Sequence, residues 1–118
     1  MTQAALILVV APDADFRHSL EFALETDGFA VESYENVDAA FASQRAGFAR
    51  CAVLDDGAIA DWQMLGEEAL RFGKPVILLM DRVRRVPDLP HISELTKPFL
   101  GAPLTEAVRR AMAEPGHT

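Results

Sequence analysis

Two stretches of this chain are apolar without a break. Ala4-Ala5-Leu6-Ile7-Leu8-Val9-Val10 and Val76-Ile77-Leu78-Leu79-Met80 show no helical spacing. A strand of this kind is one buried on both faces, as when helices cover both sides of a parallel sheet. Neither run approaches the roughly 20 residues that cross a bilayer, and no basic residue precedes the first, so the sequence predicts neither a membrane-spanning helix nor an ordinary signal peptide.

Helical patterns separate the strands. Phe16, Leu20, Ala23 and Leu24 fall on one face of a helix that Gly28 would stop. Phe29 to Tyr34 alternates apolar and polar residues, as an edge strand exposed on one side would. Asn36 can cap a second helix holding Val37, Ala40 and Phe41 and ending at Gly47. Cys51-Ala52-Val53-Leu54 reads as the third strand, broken by the turn residues Asp55-Asp56-Gly57. Trp62, Leu65, Ala69 and Phe72 form the next helical stripe, before Gly73. Ile92 to Thr96 is a final edge strand. Leu104, Ala107, Val108, Ala111 and Met112 mark the last helix, with Pro103 tolerated in its first turn. Alternating strands and helices give an α/β fold, a flavodoxin-like, doubly wound, five-stranded parallel sheet of order 2-1-3-4-5. At 118 residues the chain fits a single domain over residues 1–118.

Charge narrows the partners. Eleven Lys and Arg against 18 Asp and Glu leave a net charge of −7, which repels phosphate backbones and argues against direct nucleic-acid binding. The single cysteine, Cys51, excludes an internal disulfide and fits a reducing, cytoplasmic compartment. It lies inside a strand, as a small buried apolar residue rather than a nucleophile. His18, His91 and His117 are dispersed, without the spacing of paired metal ligands, and are expected at the surface. Arg82 to Arg85 carries three arginines and reads as a solvated loop.

In open α/β sheets, sites lie beyond the carboxyl ends of the strands. That rule selects Ala11-Pro12-Asp13, Asp55-Asp56, Met80-Asp81 and Lys97-Pro98. With "CAVLD" ending at Asp55, "KPVILLM" ending at Met80 and "LTKPF" holding Lys97-Pro98-Phe99, the chain resembles the CheY-like receiver domain of two-component response regulators, from about Ala5 to Met112. "FRHSLEFAL…DGFAV" is similar to that family's first helix and second strand.

The resemblance implies phosphoryl transfer from a histidine kinase to an aspartate, with Mg²⁺ neutralising charge on the transferring group. It makes Asp55 the phosphoacceptor position and Lys97 the phosphate-contacting lysine. It implies a cis peptide at Lys97-Pro98, the only bond type that adopts cis cheaply. It also exposes departures. The family's metal-binding acids fall on Ala11 and Pro12, its hydroxyl on Met80 and its aromatic switch residue on Glu94. Asp13 is one residue late and suits a helix cap better. Pro87 and Pro90 leave the fourth helix, between the fourth and fifth strands, short or absent.

These readings describe an atypical receiver that is not an enzyme and signals through protein contacts. Its partner would be a histidine kinase or another signalling protein, and any homodimer would have an altered interface. No cofactor is expected, and Mg²⁺ should bind weakly if at all, through Asp13, Asp55 or Asp56. One alternative is a working phosphorelay receiver, phosphorylated on Asp55 and helped by Asp13, Asp56 or Asp81. Another is a small flavodoxin-like ligand-binding domain or enzyme, which would need a deep pocket with converging polar groups.

Overall fold

The computed structural model describes residues 4–80, 92–96 and 101–113. In chain order these form β1 (Leu6–Val10), α1 (Ala14–Thr26), β2 (Ala30–Tyr34), α2 (Val37–Ala42), β3 (Cys51–Asp55), α3 (Trp62–Phe72), β4 (Val76–Met80), β5 (Ile92–Thr96) and α4 (Gly101–Ala113). The strands are parallel and lie in the order β2-β1-β3-β4-β5, as the alternation of patterns predicts.

The period-two geometry of a strand sends successive side chains to opposite faces, and here both faces are apolar. Leu8, Val10, Ala52, Leu54, Leu78 and Met80 pack with Val37 and Ala40 of α2 and with Leu65 and Ala69 of α3. Ile7, Val9, Cys51, Val53, Ile77 and Leu79 pack with Leu20 and Leu24 of α1 and with Leu104 and Val108 of α4. Every residue of β1, β3 and β4 is buried, which is why those segments carry no polar alternation. Burying each large aliphatic side chain contributes about 1.5–3 kcal/mol.

Local chemistry sets the helix ends. The side chain of Asp13 accepts from Phe16 N at 2.8 Å, and that of Asn36 from Ala39 N at 2.8 Å. Asp61 accepts from Gln63 N at 2.9 Å and Met64 N at 3.2 Å. Each satisfies amides that the first helical turn leaves without intrahelical partners. At the other ends, Gly28 and Gly73 take left-handed backbone, with φ of 97° and 69°, where a side chain would be strained. Arg109 of α4 pairs with Asp27 beyond the end of α1, tying these two helices together.

Four boundaries and one exposure pattern differ from the sequence expectation, the first being that of β2, which begins at Ala30 and not at Phe29. β1 begins at Leu6 and not at Ala4, and β3 includes Asp55 and not only Cys51 to Leu54. The second helix stops at Ala42 rather than Gly47. Ser43 leaves helical geometry (φ −70°, ψ 144°), and its hydroxyl accepts from Arg45 N at 3.0 Å to start a separate 3₁₀ turn, Gln44–Phe48. A serine that can cap the next turn competes with continuing the helix. In β2 all five residues are half-buried, with no exposed face. Val31 joins the α1 layer while Ala30 and Tyr34 join the α2 layer, so this edge strand is covered on both sides. The predicted shortening of the helix between β4 and β5, and the predicted cis bond at Lys97-Pro98, lie outside the described residues.

Candidate functional site

β1, β3 and β4 end nearly in step. Val10 pairs with Leu54 and Asp55 with Leu79, so Ala11, Asp55 and Leu79 sit side by side at the carboxyl edge of the sheet, with Met80 one residue beyond. Asp55 is the last residue of β3 and only 7% exposed, a buried carboxyl group among otherwise apolar strand residues. Burying an ionisable group is costly unless its surroundings compensate, which makes such a position a candidate site.

The backbone beside Asp55 is tightly folded. The chain enters a 3₁₀ turn at Asp56–Ala58, closed by Ile59 N donating to Asp56 O at 3.2 Å. Asp56, half-buried, opens that turn. A methyl group added to Gly57 would lie 3.1 Å from Asp55 Oδ2 and 4.0 Å from Pro12 Cγ. The Asp55 carboxylate therefore rests against the Gly57 backbone, with the Pro12 ring close by on the β1 side.

The residues after β1 are occupied otherwise. Ala11 is fully buried, and its amide donates to Tyr34 O at 3.1 Å. Its carbonyl accepts from Arg17 Nη1 at 2.8 Å, with Pro12 O a longer 3.4 Å from the same nitrogen. Asp13 is exposed and turned along α1 as its N-cap, the role its residue type predicts. Met80 is 1% exposed and belongs to the core layer under α2 and α3.

Glu94 lies opposite Leu78 in the β4–β5 ladder. Lys97, Pro98, Asp81, the arginines of 82–85, His91 and His117 lie outside the described residues. His18 is exposed. Cys51 is buried, and burial pushes its thiol up to about 12, a small hydrogen bond to Ala52 O only partly offsetting this.

Mg²⁺ takes near-octahedral oxygen coordination and is usually anchored by carboxylates. Among the described residues, no three His, Cys, Asp or Glu side chains are grouped to hold a metal ion. Where the sequence offers Asp13, its oxygen faces the Phe16 amide, and the Ala11 carbonyl faces Arg17. This donor set does not fit the ion as it stands.

Two contributors escaped the sequence reading. Arg17 shows itself only through a contact six residues back along the chain, and Gly57 only through its proximity to Asp55. A basic residue one turn beyond a capping aspartate was the available signal for the first.

No protein-family model matches the chain. The transcriptional regulator protein FixT of Rhizobium meliloti (strain 1021) is 37% identical over 105 residues, covering 88% of this chain and 90% of that protein. A CheY-like response regulator receiver domain protein from Methanospirillum hungatei JF-1 superposes with a TM-score of 0.77 at 19% identity, over 95% of this chain and 96% of that one. The chain belongs to the response-regulator receiver family. The receiver also superposes on full-length FixJ from B. japonicum, with a TM-score of 0.76 and 27% identity. That match covers 97% of this chain but 61% of FixJ. Among the described residues, no helix of the receiver is long and apolar enough to cross a membrane.

Proposed function

We propose that this receiver signals through contacts with a histidine kinase or another signalling protein, and that metal-assisted phosphorylation of Asp55 is strongly impaired. The observation that carries the reading is the edge beside Asp55. Pro12, which has no metal-binding side chain, approaches the same side of Gly57 as the Asp55 carboxylate, and the neighbouring Asp13 carboxylate is committed to capping α1. Phosphoryl transfer to an aspartate brings an anionic donor to an anionic acceptor, so fixed positive charge and hydrogen-bond donors set the rate. Met80 supplies no hydroxyl at the end of β4. Loss of a single such donor can slow a reaction about 10²–10³-fold, and several are missing here.

The test is incubation with acetyl phosphate and Mg²⁺, followed by intact-mass measurement. Little or no added phosphoryl mass is expected, and partner binding should survive Asp55→Ala. Stoichiometric labelling that needs Mg²⁺ and disappears in Asp55→Ala would replace this reading with that of a working phosphorelay receiver. That second reading has one observation in its favour: Asp55 is held at the carboxyl end of the central strand, where an acceptor must stand.

A further inference from the structure

On the sheet face opposite α1 and α4, helices α2 and α3 leave a groove between them. Two cavities lie along it. One of about 460 Å³ is walled by Phe41, Ala46, Arg71 and Phe72, and one of about 160 Å³ by Val37, Ile59, Met64 and Leu65. Asp38 and Glu68 line both and so mark the middle of the groove.

The ends of the groove are apolar and its centre is anionic. The Phe41 and Phe72 rings pack with centroids 5.1 Å apart at one end. Met64, 46% exposed, stands at the other. Glu68, half-buried on α3, and Asp38, exposed on α2, both border the two cavities. Desolvation first, and then the charge of Asp38, hold the Glu68 carboxyl above its ordinary range, with Arg71 opposing the shift.

Of the other charged groups lining the groove, Arg71 stands near enough to Glu68 to act on its carboxyl, while Lys74 and Asp61 have partners of their own. Lys74 Nζ donates to Ala46 O at 3.2 Å and Gly47 O at 3.0 Å, and lies 5.3 Å from the Phe72 ring centre. Asp61 is held by the α3 amides. Two neighbouring carboxyl groups, one of them half-buried, gain more from a cation than an isolated exposed one does.

We propose that this groove receives a helical segment of a partner protein. The segment places one arginine or lysine at Asp38 and Glu68, with an apolar side chain one turn to either side. The spacing of the walls supports the match. Phe41 lies three residues beyond Asp38 on α2, while Met64 and Phe72 lie four residues before and after Glu68 on α3. Apolar, acidic and apolar positions thus recur once per turn. A third helix laid alongside meets them with its own i−4, i and i+4 row. The proposal does not depend on whether Asp55 accepts phosphate.

The test titrates the full chain with a synthetic amidated helix of alanine and glutamine, carrying one arginine flanked four residues away on each side by leucine. Amide NMR shifts should saturate at residues of α2 and α3, among them Asp38, Met64, Glu68 and Phe72, and binding should weaken as salt is added. The Asp38→Asn/Glu68→Gln double variant should lose at least about tenfold in affinity, and a peptide with glutamate in place of arginine should not bind. Should the double variant fail to fold, Met64→Ser, at an exposed position, decides the matter by a several-fold loss. Shifts confined to α1 and α4, no binding at all, equal binding of the glutamate peptide, or affinity indifferent to these substitutions would overturn the proposal.

Discussion

Replacing Pro12 by aspartate should give this receiver a larger Mg²⁺ response than the native chain shows. The Pro12 ring and the Asp55 carboxylate both approach the same point above Gly57, at 4.0 and 3.1 Å. A carboxylate at position 12 would therefore stand within about 7 Å of that of Asp55, and at a separation of about 5 Å two unit charges repel by about 3 kcal/mol at an effective dielectric near 20. Pro12 is exposed, so water lowers this, and about 1–2 kcal/mol of destabilisation without metal is the expected figure. A divalent ion converts the repulsion into a binding site. At ten times its dissociation constant it returns about 1.4 kcal/mol, or roughly 3–6 °C in Tm for a domain of this size. The assay is thermal unfolding of the native chain and of Pro12→Asp, each with and without excess MgCl₂, with Trp62 fluorescence as a second readout. The native melt should stay flat and the variant's should rise. A native chain that already responds to sub-millimolar Mg²⁺, or a folded Pro12→Asp that responds no more than the native chain, would refute the claim that Pro12 keeps metal from Asp55.

Three further outcomes follow from the same structure. Glu68→Gln keeps a hydrogen-bonding group while removing the charge. Because the folded-state value of Glu68 is raised, its ionisation costs stability as pH rises through and above its titration. The variant should therefore melt about 1–2 °C higher at neutral pH, with the gain vanishing below the ordinary carboxyl range, as melts across pH would show. Cys51, fully buried with its thiol pushed up to about 12, should react with an alkylating reagent only as fast as the chain opens, so denaturant should accelerate labelling in step with unfolding measured by circular dichroism. Leu54→Ala, at a fully buried central position, should cost about 2–5 kcal/mol, seen as a lower denaturation midpoint at unchanged slope.

The parts of the fold legible in the sequence are those where one physical requirement dominates. β1 and β4 are buried on both faces, so their composition admits little but apolar residues, and the runs stand out. Asp13, Asn36 and Asp61 serve as caps because a short side-chain oxygen is what a helix start needs. Where two requirements compete, the pattern misleads. Ser43 can continue a helix or begin the next turn, and its hydroxyl settles the choice through Arg45 N. β2 alternates like a one-sided strand, yet helices on both faces bury it equally. The facing of Asp38 and Glu68 depends on how α2 and α3 pack across residues thirty positions apart in the chain, which no local periodicity encodes.

The site divides along the same line. The position of Asp55 follows from strand order and the rule that sites open at carboxyl ends. What surrounds it depends on where a few side chains turn, and Asp13 shows the cost of recruiting one of them. Its carboxylate caps α1 at 2.8 Å, an interaction contributing about 1 kcal/mol to helix stability. An ion that drew Asp13 toward Asp55 would first have to release that cap, at a cost equivalent to about a fivefold loss in affinity. Asp13→Asn tests this directly. Asparagine keeps a capping oxygen while offering no charge to a metal, so the fold should lose little stability and any residual Mg²⁺ affinity should not change. A measurable drop in Mg²⁺ binding in Asp13→Asn would mean that the carboxylate leaves its cap for the ion, and that the edge beside Asp55 is less committed than the α1 hydrogen bond implies.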